Sequence, residues 1–463
     1  AYLGSAGESQ SLETRLQQLI VNQFDRLQKL DADAYELLCR AGCYRYQGLA
    51  RVNADALSSL LWDVEPQQRS QVINSLKNRS LIEYYRGKYL LHPAIRAEAI
   101  SRLRQTDRWI QSNQQAAKFW INSVNHIIDI TTAITALEAY YHYIEIGDFQ
   151  QAAQVLLQPR SNQWGQFLPL ASNLYRMGSI QPVLAAIEQI VPSLLPSRST
   201  AELSNILGDL YWIIGRVHEA IETQQYTINY TTKSLAQSDS SDLSHDTYCL
   251  KILNLDSLLS IGLYHIDLWE LNEASSYFKR VIEMANNTIH DRWEQKATAC
   301  LALVQSDLGN IDRVRKLLTK IEPLIIQQKW TGSSAYFLQI IGQTYTNLGQ
   351  YDRANTIYQQ ILTFCQTGNY LQIQGRTLTG LAQLDRLQGN LQIAQTTHLQ
   401  AIEILTRLGA KCDLAEAYYQ AGLTWKQAGD LAQSQVYCNF HAHQLFTEIV
   451  APRQLEKIEI GRS

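Results

Sequence analysis

The 463-residue chain is 46% apolar and 18% charged, and its formal net charge at pH 7 is −3. This near-neutral balance argues against the strongly basic class of general nucleic-acid-binding proteins. Seven scattered cysteines include no C-x-x-C pair, so we expect no disulfide framework and a cytoplasmic location. No apolar run reaches 18 residues, and we therefore expect no membrane span and no membrane partner.

Helical periodicity dominates the first eighty residues or so. A polar arm at 1–11 is followed by apolar residues at helical spacing over 12–30, and Asp31 or Asp33 can cap the next helix. Pro66 is suited to the first turn of a later helix, because its missing N–H is not needed there. We therefore expect three or more helices in this region.

A β-hairpin is predicted after these helices. Residues 80–85 change to a strand-like period, Arg86-Gly87-Lys88 provides the turn, and residues 89–91 form the returning strand. A winged helix-turn-helix domain has this order of elements, with helices followed by a β-hairpin. We therefore assign residues 12–104 to such a domain. A linker helix over 105–132 follows it.

The segment Asn78–Leu103, NRSLIEYYRGKYLLHPAIRAEAISRL, resembles the winged-helix module of STAND-class signalling ATPases, the NB-ARC-like group. In that family a histidine at the end of the strand helps to hold the nucleotide phosphates in the resting state, and His92 is the matching residue. Pro93 stands where many members carry aspartate. No G-x-x-x-x-G-K-[ST] motif occurs, so the resemblance implies a nucleotide-binding domain absent from this chain as a partner. We assign no cofactor to the chain itself.

From residue 133 onward, predicted helix hairpins recur around a turn residue, and the last five turn residues are 40 positions apart. A small residue such as Gly342 lies seven positions before most of these turns. The pattern L-G-x-x-Y-x-x-x-G-x-x-x-x-A, best at 207–220 and 341–354, resembles the tetratricopeptide repeat, whose unit is a helix–turn–helix. The turn residues are Gly147, Gly178, Gly215, Trp269, Gly309, Gly349, Gly389 and Gly429.

We therefore predict an all-α fold, a right-handed superhelical solenoid like that of tetratricopeptide repeats (TPRs), with about eight hairpins over 133–450. One hairpin cannot bury its own apolar face, so neighbouring hairpins must stack. A stretch rich in Ser and Asp at 234–246 predicts an exposed loop, and residues 451–463 predict a tail that frays.

No residue set has the spacing of a catalytic or metal site. Cys438 and His441 share a helix face, but His443 points elsewhere, and no local Ser/His/Asp or Cys/His motif occurs. We expect neither a metal site nor an enzymatic activity.

The predicted binding surface is the concave face of the solenoid. The resemblance implies that the first helix of each hairpin lines this groove, with positions ten, six, three and two before the turn facing inward. Amides both donate and accept hydrogen bonds, so a groove rich in them is suited to a peptide or protein ligand. The candidate residues are Asn205, Asp209, Trp212, Gln339, Gln343, Asn347, Gln383, Arg386, Tyr419 and Lys426.

The preferred interpretation is a ligand-sensing, protein-interaction region of a STAND-type signalling protein. One alternative is a freestanding scaffold that recruits a partner protein, and another is a transcription regulator whose winged helix contacts DNA. Arg79 and Lys88 are candidates for DNA contact, but Asp63, Glu65 and Glu83 dilute their charge. The sequence therefore argues against DNA as the partner.

Overall fold

The computed structural model describes residues 6–45, 52–163, 165–237, 244–326, 330–368 and 370–460, most of which are helical. The chain divides into two compact units, one formed by Ala1–Gln163 with Phe167–Leu170 and the other by Trp164–Gln166 with Ala171–Ser463. None of the helices within the described ranges combines the length and the hydrophobicity that a bilayer crossing needs.

The first unit consists of helices and two small sheets. Asp31 Oδ1 accepts the backbone N–H of Ala34 at 3.2 Å and thereby caps the second helix, as predicted. The helices are α1 (Ala6–Leu30), α2 (Ala32–Ala41), α3 (Ala54–Ser59), α4 (Pro66–Asn78), α5 (Pro93–Arg104), α6 (Arg108–Ser123), α7 (Ile130–Glu145) and α8 (Phe149–Leu157).

The predicted β-hairpin is confirmed. Strands β1 (Glu83–Tyr85) and β2 (Lys88–Leu90) pair antiparallel. Arg86 and Gly87 between them have φ values of 49° and 80°, the two positive values that a two-residue hairpin turn of type I′ needs. The assignment of residues 12–104 to a winged-helix domain stays a prediction.

A second sheet in the first unit was not predicted from the sequence. Strand β3 (His126–Ile127) pairs parallel with β4 (Pro159–Asn162), and β4 pairs antiparallel with β5 (Phe167–Pro169). The buried side chain of Arg160 donates to the carbonyl oxygens of Ile121, at 3.2 Å, and Val124. The linker helix predicted over 105–132 is interrupted, because α6 ends at Ser123, β3 follows it, and α7 begins at Ile130.

The second unit is built from successive helix hairpins in an all-α superhelical repeat fold. All eight predicted turn residues, including Gly147 of the first unit, have positive φ, from 60° at Trp269 to 92° at Gly178. Glycine reaches this region without steric cost, which is why the turns are visible in the sequence. The helices are α9 (Leu170–Arg176), α10 (Ile180–Ile190), α11 (Arg198–Ile213), α12 (Val217–Gln237), α13 (His245–Asp267), α14 (Leu271–Ala285), α15 (Asp291–Asp307), α16 (Ile311–Ile326), α17 (Gly332–Asn347), α18 (Tyr351–Gly368), α19 (Leu371–Leu387), α20 (Leu391–Leu408), α21 (Lys411–Gln427), α22 (Leu431–Gln435), α23 (His443–Ile449) and α24 (Pro452–Ile460).

Two shorter helical segments belong to this unit. A 3₁₀ turn at Val191–Ser193 follows α10, and a π-helical stretch at Val436–Ala442 joins α22 to α23.

Three predictions about irregular segments need correction. The arm predicted at 1–11 is helical from Ala6 onward, and residues 1–5 lie outside the described ranges. The loop predicted at 234–246 is shorter than expected, because α12 continues to Gln237 and α13 begins at His245, and residues 238–243 are not described. The tail does not fray over Pro452–Ile460, because these residues form α24 and bury Ile458.

Helices from the beginning and the end of the second unit contact each other. Cys412 Sγ lies 3.4 Å from the carbonyl oxygen of Trp212, and His218 Nε2 lies 3.2 Å from that of Val450. Gln454 Nε2 donates to the carbonyl oxygen of Asp267 at 3.0 Å. Helices α11 to α13 therefore meet α21 to α24, and the inner face of the unit is partly enclosed.

Candidate functional site

Two cavities open on the inner face of the second unit, with volumes of about 160 and 330 Å³. We call the smaller one the aromatic cavity, because its lining includes Tyr175, Trp212, Tyr264, Tyr336, Phe337 and Tyr370. The larger is the polar cavity, with the side chains of Asp267, Asp307, Gln339, Gln343, Asn347, Arg376, Gln383, Arg386, Asp413, Glu416, Tyr419, Gln420, Gln454 and Lys457 in its lining.

The structure brings most of the predicted groove residues to these two linings. Asp209 and Trp212 line the aromatic cavity, whereas Asn205 and Lys426 belong to neither lining. Asn205 is buried between helices, where its amide donates to Gln224 Oε1 and Ser257 Oγ, both at 3.1 Å. The six that line the polar cavity are Gln339, Gln343, Asn347, Gln383, Arg386 and Tyr419.

Polar side chains at equivalent positions of neighbouring hairpins are hydrogen-bonded across the polar cavity. Gln343 Nε2 donates to Gln383 Oε1 at 2.8 Å, and Asn347 Nδ2 donates to Asp307 Oδ1 at 2.7 Å. Each pair is separated by 40 residues. Gln343 also donates to Asn347 at 3.2 Å, so the four side chains form one ladder from α15 to α19.

A buried ion pair crosses from α19 to α21. An Arg376 guanidinium nitrogen lies 2.5 Å from Asp413 Oδ1, and Gln372 Nε2 donates to Asp413 Oδ2 at 2.8 Å. Burial acts to lower the pKa of Arg376, but the charges of Tyr336, Asp413 and Asp267 outweigh burial and raise it. Arg376 is therefore a fixed positive charge in the wall of the polar cavity.

Two carboxyl groups in the polar cavity have strongly perturbed acidity. Asp267 accepts the indole N–H of Trp212 at 2.6 Å, and burial raises the pKa of Asp267 to about 7 against the opposing charge of Arg376. Burial likewise raises the pKa of Asp307 to about 7 against the opposing charge of Lys457. Burial dominates in both cases because it removes water from the ionised form.

Helix α24 supplies two further residues to the polar cavity. The Lys457 ammonium lies 3.9 Å from the ring centroid of Trp269 and 4.6 Å from that of Tyr419. It also lies 3.7 Å from Glu416 Oε2. An ammonium group is thus already held between aromatic rings and a carboxylate at this position.

The aromatic cavity contains charges of both signs. Asp209 accepts the hydroxyl of Tyr264 at 2.8 Å, and burial, with the charge of Asp256, raises the pKa of Asp209 to about 6. Burial lowers the pKa of Lys296, whose ammonium lies 5.5 Å from the ring centroid of Phe337. The lining of the aromatic cavity therefore combines aromatic rings with ionisable side chains of both signs.

Several lining residues were missed by sequence reasoning. Arg376 and Asp413 lie closer to the start of their helices than the four inward positions that the repeat pattern supplies. Asp307 stands two positions before Gly309, so the same rule applied to that hairpin finds it. Gln454 and Lys457 had no sequence signal, because they lie in the segment expected to fray.

The candidate residues of the first unit lie on exposed parts of it. His92 is exposed and caps α5, its Nδ1 accepting the backbone N–H of Ala94 at 3.3 Å. Arg79 donates to Ser75 Oγ at 3.3 Å, and the Lys77 ammonium lies 4.3 Å from the ring centroid of Tyr84. A role of His92 toward a nucleotide stays a prediction.

Comparisons with known proteins agree with the repeat pattern over one hairpin. Residues 335–366, which cover most of α17 and α18, match the family model of the tetratricopeptide repeat. A search of curated protein sequences found no match.

Two solved structures resemble this chain at low sequence identity. One is a signal transduction ATPase with numerous domains from Pyrococcus horikoshii that has a tetratricopeptide repeat sensor, with 14% identity and a TM-score of 0.49. That alignment covers 89% of this chain but 56% of the other, so this chain spans little more than half of that protein's length. The Rap conjugation gene regulator of plasmid pLS20, in complex with the Phr* peptide, has 12% identity and a TM-score of 0.47 over 88% of this chain and 90% of the other.

Proposed function

We propose that the second unit binds a peptide, or an extended segment of a partner protein, on its inner face, and that its function is non-catalytic. The observation that carries the proposal is the ladder Asp307–Asn347–Gln343–Gln383 in the wall of the polar cavity. An extended backbone presents alternating N–H and C=O groups, and amide side chains can match both.

The two cavities lie along the same helices of the second unit. Helices α13, α15, α17 and α19 each contribute residues to both linings. A peptide in the polar cavity could therefore place an apolar side chain against Trp212 or Tyr336.

The wider role that we propose is the sensor of a STAND-type signalling protein in the cytoplasm. Its support is the resemblance of Asn78–Leu103 to the winged-helix module of that class. A ligand that binds one of two conformations better than the other shifts their equilibrium, which is how binding would be relayed. The full reading frame is then expected to encode a P-loop motif upstream of Ala1, and an initiation codon directly before Ala1 would contradict this wider role alone.

Peptide binding is tested with a composition-matched pair of variants. The triple variant Gln343→Ala, Asn347→Ala, Arg386→Ala removes inner side chains, and Gln359→Ala, Asn355→Ala, Arg353→Ala removes the same residue types from the exposed face of α18. Quantitative affinity purification from the source cells should show that partners of the unaltered chain are lost from the inner variant and kept by the outer one. An inner variant that retains every partner would overturn the proposal.

A further inference from the structure

One corner of the polar cavity offers hydrogen-bond acceptors without a matching cation. Asp267, Asp307 and Gln454 all belong to the lining, and Gln454 Nε2 lies 3.0 Å from the carbonyl oxygen of Asp267. Neither carboxylate has an ion-pair partner within 4.0 Å among the residues that the structure describes. Gln454 is only 4% exposed, and its Oε1 is buried without a hydrogen-bond partner in the described part of the chain.

The orientation of the Gln454 amide is settled by its other contact. Nε2 lies 3.0 Å from the carbonyl oxygen of Asp267, which can only accept. The amide oxygen Oε1, which accepts hydrogen bonds, is therefore the atom of this amide that has no partner among the described residues. A buried acceptor without a donor is costly, so a ligand that supplies a donor is favoured here.

The cations that line the polar cavity are engaged elsewhere. Arg376 is paired with Asp413. Lys457 lies near Glu416 and between aromatic rings. Arg386 donates to Gln420 Oε1 at 2.9 Å. The charge of Lys457 reaches Asp307, but burial still holds the pKa of Asp307 at about 7, so the resident cations leave this corner undercompensated.

We propose that this corner receives a lysine or arginine side chain of the bound peptide, hydrogen-bonded by Asp267, Asp307 and Gln454. The proposal rests on the peptide-binding function above and specifies its ligand. Lysine and arginine bring several donors, no acceptor and a positive charge, which is the complement of two carboxylates and a carbonyl oxygen. A neutral donor would leave both carboxylates without a cation in direct contact in a partly buried site.

The charged groups around the two carboxylates set the expected pH dependence. Asp267 is faced by Arg376, Asp413 and Glu416, and Asp307 by Lys457 and Glu416. A cation binds the ionised carboxylates, and with pKa values of about 7 these are partly protonated below neutrality. Affinity for a basic peptide should therefore rise between about pH 6 and pH 8.

The test begins with selection of a phage-displayed random dodecapeptide library on the full chain. Selected sequences are synthesised with acetylated N-termini, so that an α-ammonium cannot replace the side chain. We expect one position to be enriched in lysine or arginine, and its replacement by norleucine to weaken binding by at least about tenfold. Asp307→Asn and Asp267→Asn should each weaken binding of the basic peptide comparably and leave binding of the norleucine peptide nearly unchanged.

The matched protein control is Asp312→Asn, which removes a carboxylate that is 95% exposed and lies on the outer helix α16. It should bind the basic peptide as the unaltered chain does. The norleucine substitution probes the contact from the peptide side, so the result does not depend on the stability of the Asn variants.

Three outcomes separate the two proposals. Peptides that lose affinity with norleucine and with Asp307→Asn support the cationic side chain. A second outcome is that the Gln343→Ala, Asn347→Ala, Arg386→Ala variant no longer binds the selected peptides, while replacing their lysine or arginine by norleucine does not change their affinity. This outcome overturns the proposal of a cationic side chain and leaves the proposal of inner-face binding intact. Failure to select any peptide that this triple variant loses overturns both.

Discussion

Buried carboxyl groups are the residues on which the chemistry of the inner face depends. Asp267 and Asp307 occupy equivalent positions, two residues before the turns at Trp269 and Gly309. Burial raises the pKa of both to about 7, whereas an aspartate in an unfolded chain titrates near pH 3.9. At these two carboxyl groups the folded unit therefore binds more protons than the unfolded chain between about pH 4 and pH 7.

This difference gives a prediction for Asp307→Asn. Stability falls as pH rises wherever the folded state holds more protons, so ionised Asp307 destabilises the fold above pH 7. An asparagine keeps the acceptor for Asn347 and removes the charge. The variant should be more stable than the unaltered chain at pH 8, by on the order of 1 kcal/mol or more, and equally stable near pH 4.

Urea denaturation at both pH values measures this effect. Asp312→Asn, at an exposed position, should change stability by less than about 0.5 kcal/mol at either pH. If Asp307→Asn were no more stable than the unaltered chain at pH 8, Asp307 would not carry a raised pKa.

The sequence could identify lining residues that occupy the same position in successive repeats, but it could not identify lining residues outside the repeat pattern. Gln343 and Gln383 were found because they occupy the same place in consecutive repeats, and they are hydrogen-bonded at 2.8 Å. Gln454 was not found, because its place in the polar cavity comes from contact between the two ends of the unit, and no periodicity encodes that contact.

The helix hairpin is the element that the sequence predicts best, because its turn and its close helix contact both need small residues. At Gly342 an added β-carbon would lie 2.5 Å from Cε1 of the fully buried Tyr358, and at Gly262 the same distance separates it from Cε1 of Phe278. Glycine is therefore required at these positions, because the aromatic ring on the second helix of the hairpin leaves no room for a β-carbon. Strand β3, with two residues and a partner strand far along the chain, carries no comparable signal.

Enlarging Gly342 should therefore loosen its hairpin. We expect Gly342→Leu to lower the free energy of unfolding by about 1–3 kcal/mol or more, because Tyr358 must move out of a filled core. Asn355→Leu, at an exposed site of α18, should stay within about 0.5 kcal/mol. Circular dichroism during urea denaturation compares the two, and an unchanged midpoint for Gly342→Leu would show that the helices do not approach this closely.

At the scale of the whole molecule, the repeats give the second unit an inner face that its own ends help to enclose. Helix α24 lies at the polar cavity, with Lys457 3.9 Å from the ring centroid of Trp269 and Gln454 bonded to Asp267. The resemblance to the tetratricopeptide repeat implies that the first helix of each hairpin lines the inner face. It could not predict that Trp212 and Cys412, 200 residues apart, are in contact, because that depends on small rotations summed over many hairpins.

The central claim is that a peptide occupies the inner face of the second unit, and site-specific photo-crosslinking tests it most directly. p-Benzoylphenylalanine is placed at Gln383, in the lining of the polar cavity, or at Gln359, on the exposed face of α18. With a peptide selected on the full chain, irradiation should produce an adduct from position 383 and none from position 359. An adduct from position 359, with none from position 383, would contradict the account.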